Sequence, residues 1–116
     1  MQQQSISKFS INDESVFLHT QSKSIITYII NHKLSPKDEK LYKKVVKMYK
    51  KLQSQYLLIE NNIHTIDSME KLDELYGVLH DEKEKKSIKE KLKKLNQSRM
   101  KYIKNYLKTK KDFLKL

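Results

Sequence analysis

Apolar residues recur at alternating steps of three and four between positions 42 and 66, and this repeat restricts the fold of the chain most strongly. The repeat comprises Tyr42, Val45, Tyr49, Leu52, Tyr56, Ile59, Ile63 and Ile66. Heptad spacing of this kind places all of these side chains on one side of an α-helix, where they form the seam of a coiled coil. Beyond this repeat the stripe shifts by three residues, so the helix is expected to change its packing partner there. The shifted positions are Met69, Leu72, Tyr76 and Leu79.

The start and end of this long helix are marked by residues with strong local preferences. Ser35 is a favoured cap, and Pro36 suits the first helical position. Gly77, the single glycine, predicts a turn over residues 77–81. The last segment continues the coiled-coil spacing through Ile88, Leu92, Leu95, Arg99, Tyr102, Tyr106 and Phe113. Since two long helices joined by a short turn pack antiparallel, residues 35–116 are expected to form a helical hairpin.

Arg99 falls within the seam of the last helix, where a buried cation needs an opposite charge. The acidic middle of the chain offers carboxylates for such an ion pair, and the candidates are Asp67, Glu70 and Glu74. The pairing would set the register of the hairpin.

The N-terminal third lacks a heptad repeat and divides into two segments. Residues 1–11 have no apolar period, which predicts a flexible lead-in. Residues 12–34 predict a further helix with Asn12 as its cap, so the whole chain is expected to be an all-α fold of about three helices. This helix has an isoleucine face whose exposure would favour association, so it is a candidate protein interface. The face consists of Ile25, Ile26, Ile29 and Ile30.

Composition argues against an enzyme. Cysteine is absent, which excludes disulfides, thiolate zinc sites and cysteine nucleophiles. A thin helical hairpin with one glycine and one proline offers few places for a catalytic pocket. The histidines lack the i, i+3 or i, i+4 spacing of a helical metal site. We therefore expect no catalytic residue, no metal, no cofactor and no small-molecule substrate.

The chain carries a formal net charge of +11, and lysines dominate its cations. A stripe of them repeats at steps of three and four on the side of the last helix opposite its seam, namely Lys101, Lys104, Lys108, Lys111 and Lys115. This stripe favours polyanion contact, and the alternative is the ordinary solvated back of a coiled coil. Because Arg99 is the single arginine, nucleic-acid binding through the stripe would be non-specific. A second set could add to it: Lys40, Lys43, Lys44, Lys47, Lys50 and Lys51.

No apolar run approaches the roughly 20 residues that span a bilayer, and the start of the chain does not have the pattern of a signal peptide. These features predict an intracellular, soluble protein without a membrane partner.

The last helix resembles the ending R-x-x-Y-L-x-N-x-L-x-x-x-K of the occludin/ELL homology domain. The matching residues are Arg99, Tyr102, Ile103, Asn105, Leu107 and Lys111. Residues 38–69 are similar to the first long helix of that domain, although the segment between the two blocks is shorter here. The resemblance implies a bent three-helix hairpin that serves as a docking surface. In the ELL-like branch, which lacks a membrane segment, this domain belongs to RNA polymerase II elongation factors in the nucleus.

These observations together predict a non-enzymatic helical adaptor subunit of a nuclear complex related to transcription elongation. It would bind protein subunits through an apolar groove with a basic rim. Two alternatives stay open: a nucleic-acid-binding protein that uses its lysine-rich helix face, and a structural coiled coil that self-associates through residues 69–79.

Overall fold

The computed structural model describes residues 9–31, 35–79 and 82–116. Over these residues the chain forms three α-helices, α1 (Ile11–Asn31), α2 (Pro36–Leu79) and α3 (Glu82–Leu114). A 44-residue helix such as α2 is about 66 Å long at 1.5 Å per residue, and the whole molecule extends 67 × 25 × 19 Å. The length of the rod is therefore the length of α2. The predicted all-α fold class is confirmed.

Helices α2 and α3 form the predicted antiparallel hairpin. Side chains of the heptad repeat lie in its interior, since Leu52 and Ile59 are fully buried and Ile66 nearly so. The amide of Asn62 on α2 donates a hydrogen bond of 3.2 Å to the backbone carbonyl of Leu95 on α3. This bond ties the two helices together halfway along the rod.

Helix α1 packs against the first part of α2 and runs antiparallel to it. The hydroxyl of Tyr49 donates to the carbonyl of Leu18 at 3.1 Å, and the ring of Tyr28 stacks on Tyr42 with centroids 4.6 Å apart. Because α1 has only 21 residues, it accompanies α2 along about half of its length. We call α1 with residues 36–60 and 100–116 the three-helix half, and residues 61–79 with 82–99 the two-helix half.

The observed start of α1 corrects the predicted one. The cap is Ser10, whose Oγ accepts a hydrogen bond of 3.3 Å from the backbone amide of Asp13, and not Asn12. The predicted lead-in over residues 1–11 falls largely outside the described residues. Phe9 nevertheless packs edge-on against Tyr106 with ring centroids 6.0 Å apart, so the last lead-in residues belong to the packed structure. The predicted helix end at residues 32–34 also lies outside the described part, and α1 ends at Asn31.

The start of α2 agrees with the prediction. The Oγ of Ser35 accepts a hydrogen bond from the amide of Asp38 at 3.2 Å and donates one to its carboxylate at 2.9 Å. The predicted turn at Gly77 is wrong, because this residue lies inside α2, which continues to Leu79. Gly77 keeps a helical backbone instead of the left-handed one that a terminal glycine adopts. The rest of the predicted turn, residues 80–81, is not among the described residues.

The shift of the apolar stripe after Ile66 is present in part. Met69 and Tyr76 are half-buried, but Leu72 is exposed and Asp73 is turned partly inward in its place. The expected change of partner does not occur within the described residues, since a Cβ on Gly77 would contact Lys85 of α3. Helix α3 therefore remains the partner of α2 to the end of the described hairpin.

Candidate functional site

The predicted isoleucine face of α1 is only partly covered by the hairpin. Ile25 is half-buried, whereas Ile26 is 54% exposed and Ile29 is 46% exposed. The side chain of Ile30 lies outside what the structure describes. Exposed isoleucines one turn apart on one helix leave apolar surface in contact with water, which a partner can cover.

Beside these isoleucines an open groove of about 370 Å³ runs between the end of α1 and the beginning of α2. Its apolar floor consists of Ile29, Tyr42 and Val46. Its rim carries charged side chains from the outer face of α2, namely Glu39, Lys43, Lys47 and Lys50. An apolar floor with a predominantly basic rim can hold the apolar side of an acidic segment.

The floor of the groove is held by a tyrosine pair. The rings of Tyr28 and Tyr42 stack at an interplanar angle of 20°, which links α1 to α2 at the floor residue Tyr42. Desolvation raises the pKa of Tyr42, and Tyr28 and Asp38 raise it further. Heptad reasoning placed Tyr42 in the α2–α3 seam. The structure pairs it with α1 instead, and Val46, which is off the heptad register, was missed for the same reason.

A buried cluster anchors α1 to α3 at the opposite end of α1. Glu14 is 2% exposed, and its carboxylate accepts hydrogen bonds from the hydroxyl of Tyr106 at 2.9 Å and from Nζ of Lys110 at 2.8 Å. Lys110 also lies 4.4 Å from the ring centroid of Phe17. Burial raises the pKa of Tyr106, and the negative charge of Glu14 raises it further.

This cluster was not predicted, because an acid in the first turn of a helix ordinarily interacts with the helix dipole and water. Here the same residue faces α3, and its charge is satisfied by a lysine and a phenol. Since Glu14 is almost inaccessible to solvent, the cluster is suited to hold α1 in place and not to meet a substrate. The one sequence feature that could have suggested this cluster is Lys110, which follows the seam residue Tyr106 by four positions.

The predicted lysine stripe of α3 is exposed in the structure. All of its members lie on the outer surface, on the side of α3 away from the buried Ile103, Tyr106 and Phe113. These members are Lys101, Lys104, Lys108, Lys111 and Lys115. Lys110, which lies between two of them in sequence, is turned inward to Glu14. The structure thus separates the exposed stripe from the lysine that serves packing.

The predicted ion pair of Arg99 is wrong. Arg99 is half-buried and has no carboxylate within ion-pair distance among residues 9–31, 35–79 and 82–116. The proposed partners Asp67, Glu70 and Glu74 are all exposed. A guanidinium that keeps contact with water does not require a counter-ion, so the register of the hairpin is set by apolar packing and Asn62 instead.

The other residues of the family-like ending divide between interior and surface. Ile103 is buried, and Tyr102 and Leu107 are half-buried against the hairpin core. Asn105 and Lys111 are exposed. Packing in a coiled coil accounts for the apolar positions of this pattern.

In the described part of the chain no three histidine, aspartate or glutamate side chains are placed to hold a metal ion. Over the same described residues, none of the helices is long and apolar enough to cross a membrane.

Comparison with family models, with curated proteins and with solved structures finds no match for this chain. The resemblance to the occludin/ELL homology domain therefore stays a prediction.

Proposed function

We propose that this protein is a non-enzymatic helical adaptor that binds an acidic amphipathic helix of a partner protein in the groove between α1 and α2. The observation that carries the proposal is the exposure of Ile26 and Ile29 beside an apolar floor with lysines at its edge. An apolar floor with charged side chains at its edge suits the binding of an amphipathic segment.

The floor suits the apolar face of a helix. Ile29 comes from α1, while Tyr42 and Val46 come from α2, so a ligand helix would contact both helices at once, with the exposed Ile26 one turn before Ile29. Helices bound in such grooves insert side chains spaced at i, i+3, i+4 and i+7. Burial of two isoleucines stabilises such a complex by about 1.5 to 3 kcal/mol each at most, before the entropy of association is subtracted.

The rim selects the charge of the partner. Residues 36–59 of α2 contain seven lysines and two carboxylates, and three of those lysines line the groove. Glu39 is drawn to Lys43 in an exposed i, i+4 contact of 3.7 Å, which is a weak pair that a ligand carboxylate can replace. An acidic helix would therefore be attracted and oriented by the rim, while a basic helix would be repelled.

The test uses a designed 18-residue peptide helix with leucines at i, i+3, i+4 and i+7 and glutamates on its other face. Fluorescence anisotropy of the labelled peptide should show saturable binding with a Kd of about 1 to 100 μM, in keeping with a small interface. Ile29→Glu should weaken binding by at least about tenfold, because a carboxylate would stand on the apolar floor.

Val16→Glu is the matched control, since Val16 is 66% exposed on α1 but lies outside the groove. It should leave the affinity unchanged. Equal loss in the two variants, or equal binding of a lysine-bearing peptide with the same apolar face, would contradict the proposal.

From the family resemblance we also propose that the partner belongs to a nuclear assembly related to transcription elongation. A fluorescent fusion that is excluded from the nucleus under all growth conditions would count against this setting and would leave the groove itself untouched.

A further inference from the structure

The outer face of α3 carries a line of exposed lysines, with one gap at Gln97, that the groove does not use. We call this line the basic rail, and it consists of Lys93, Lys94, Lys101, Lys104, Lys108, Lys111 and Lys115. At 1.5 Å per residue the rail is about 33 Å long. None of these lysines has a carboxylate within 4.0 Å among the described residues.

The charge of the rail is more uniformly positive than that of the solvated face of an ordinary coiled coil. Between Lys93 and Lys115 the sequence contains nine cations and a single carboxylate, Asp112. Lysines three or four apart on a helix repel one another, and each such pair costs about 0.2 to 0.5 kcal/mol. Glutamates interspersed among them would remove this cost. A chain that keeps the repulsion gains affinity for a polyanion, which relieves it on binding.

We infer that the basic rail binds the phosphate backbone of duplex nucleic acid without regard to base sequence. The aromatic side chains of α3 are turned away from the rail, since Tyr106 and Phe113 are buried and Tyr102 is half-buried. Proteins that hold single strands rely on exposed aromatic rings for base stacking, which the rail does not offer. Its length of about 33 Å matches one turn of a B-form duplex, about 34 Å.

The chemistry of the rail also argues against base readout. Lysine contacts phosphate as a point charge, whereas bidentate recognition of guanine is typical of arginine. The single arginine, Arg99, is half-buried beside the hairpin core and does not belong to the rail. Binding through the rail is therefore expected to depend strongly on salt and weakly on sequence.

The rail and the groove are separate surfaces. The groove lies on α1 and on the outer face of α2, whereas the rail lies on the outer face of α3. Because α2 and α3 pack against each other, their outer faces look in opposite directions. Each surface can therefore be changed by substitution without touching the other.

The experiment measures binding of the full chain to fluorescently labelled 24-base-pair DNA duplexes of two unrelated sequences, between 50 and 200 mM NaCl. Both duplexes should bind alike, with a slope of log K against log salt of about −3 to −6, as about four to six phosphate contacts predict. The triple variant Lys101→Gln, Lys104→Gln, Lys108→Gln should weaken binding at least about tenfold at 100 mM NaCl and lower the magnitude of the slope by about 2 to 3.

The matched control is the triple variant Lys43→Gln, Lys47→Gln, Lys50→Gln, which removes the same charge from the groove rim. It should bind duplex within about threefold of the parent chain, while both triples keep the parent helix content by circular dichroism. Equal weakening in the two triple variants would mean that net charge alone attracts the duplex. That result would overturn the inference that the rail is the binding surface. Tighter binding of a single strand, or of polyglutamate of equal charge, would overturn the choice of duplex.

Discussion

The three-helix half and the two-helix half use the same α2–α3 seam, but they differ in how completely it is closed. In the three-helix half, Leu52, Ile59 and Tyr106 are fully buried together with side chains from α1. In the two-helix half the buried apolar residues of the described chain are Ile66 and Ile88, with water on both flanks of the seam. A third helix therefore converts an exposed seam into a core.

The buried polar groups divide less sharply between the two halves than the apolar residues do. In the three-helix half the buried Glu14 has a hydroxyl and an ammonium group as partners. At the boundary of the two-helix half, Asn62 uses its amide nitrogen on Leu95, while its oxygen has no protein partner among the described residues. In the three-helix half the Oε1 of Gln55 is likewise buried without a hydrogen-bond partner among the described residues, so α1 helps to satisfy Glu14 but not every buried polar atom of its half.

Both proposed surfaces lie mostly in the three-helix half. The groove is formed where α1 meets α2, and five of the seven rail lysines lie between residues 100 and 116. Residues 60–79 of α2 contain five carboxylates and one lysine, so the two-helix half is closer to neutral. The more completely closed half of the rod thus carries most of the basic surface.

The largest effect that tests this comparison comes from one substitution placed in each half. Leu52→Ala should lower the free energy of unfolding by about 3 to 5 kcal/mol, because its cavity would lie in a closed core. Leu95→Ala removes the same atoms from a half-buried position and should cost about 1 to 2 kcal/mol. Urea unfolding followed by circular dichroism measures both. Similar losses in the two variants would mean that the seam is equally closed along the rod.

A smaller effect concerns pH and belongs to the three-helix half alone. Burial beside Glu14 raises the pKa of Tyr106 above the ordinary 10.0. The unfolded chain then loses the phenol proton at a lower pH than the folded chain. The contribution to stability is complete below pH 10 and falls as pH rises above it, by up to about 1.4 kcal/mol per pH unit.

Tyr106→Phe separates this effect from general alkaline unfolding. At pH 7 the variant should be less stable by about 1.5 to 3 kcal/mol, because the hydrogen bond to a carboxylate is lost. Above pH 10 the free energy of unfolding of the variant should fall less steeply with pH than that of the parent chain. The difference in slope corresponds to the release of one proton. Urea unfolding at pH 7, 9, 10 and 11 gives both quantities, and parallel curves would show that Tyr106 does not titrate differently on folding.

The smallest expected effect comes from a substitution that stabilises the two-helix half. Gly77 lies inside α2 with a helical backbone, and a Cβ there would be 3.9 Å from Nζ of Lys85, an ordinary contact. Gly77→Ala should therefore raise the free energy of unfolding by about 0.5 to 1 kcal/mol. A rise in Tm measured by circular dichroism checks this. A glycine that ended the helix in a left-handed conformation would instead give a loss.

Much of the fold follows from local patterns in the sequence. The heptad repeat from Tyr42 to Ile66 predicts the long helix and its buried face, and Ser35 with Pro36 predicts where the helix begins. Such features depend on residues three or four positions apart, which one helix brings together by itself. The outward position of the α3 lysines follows from the same periodicity.

The sequence by itself determined the helical class, the hairpin seam and the basic face of α3. The tertiary structure decided the length that α1 covers, the burial of Glu14 against Tyr106 and Lys110, and the groove formed with Tyr42 and Val46. These features join residues that are distant along the chain, and their charges and rings have no periodic signature. A pattern within one helix shows which face is apolar, whereas only packing decides which helix covers that face and which part stays open.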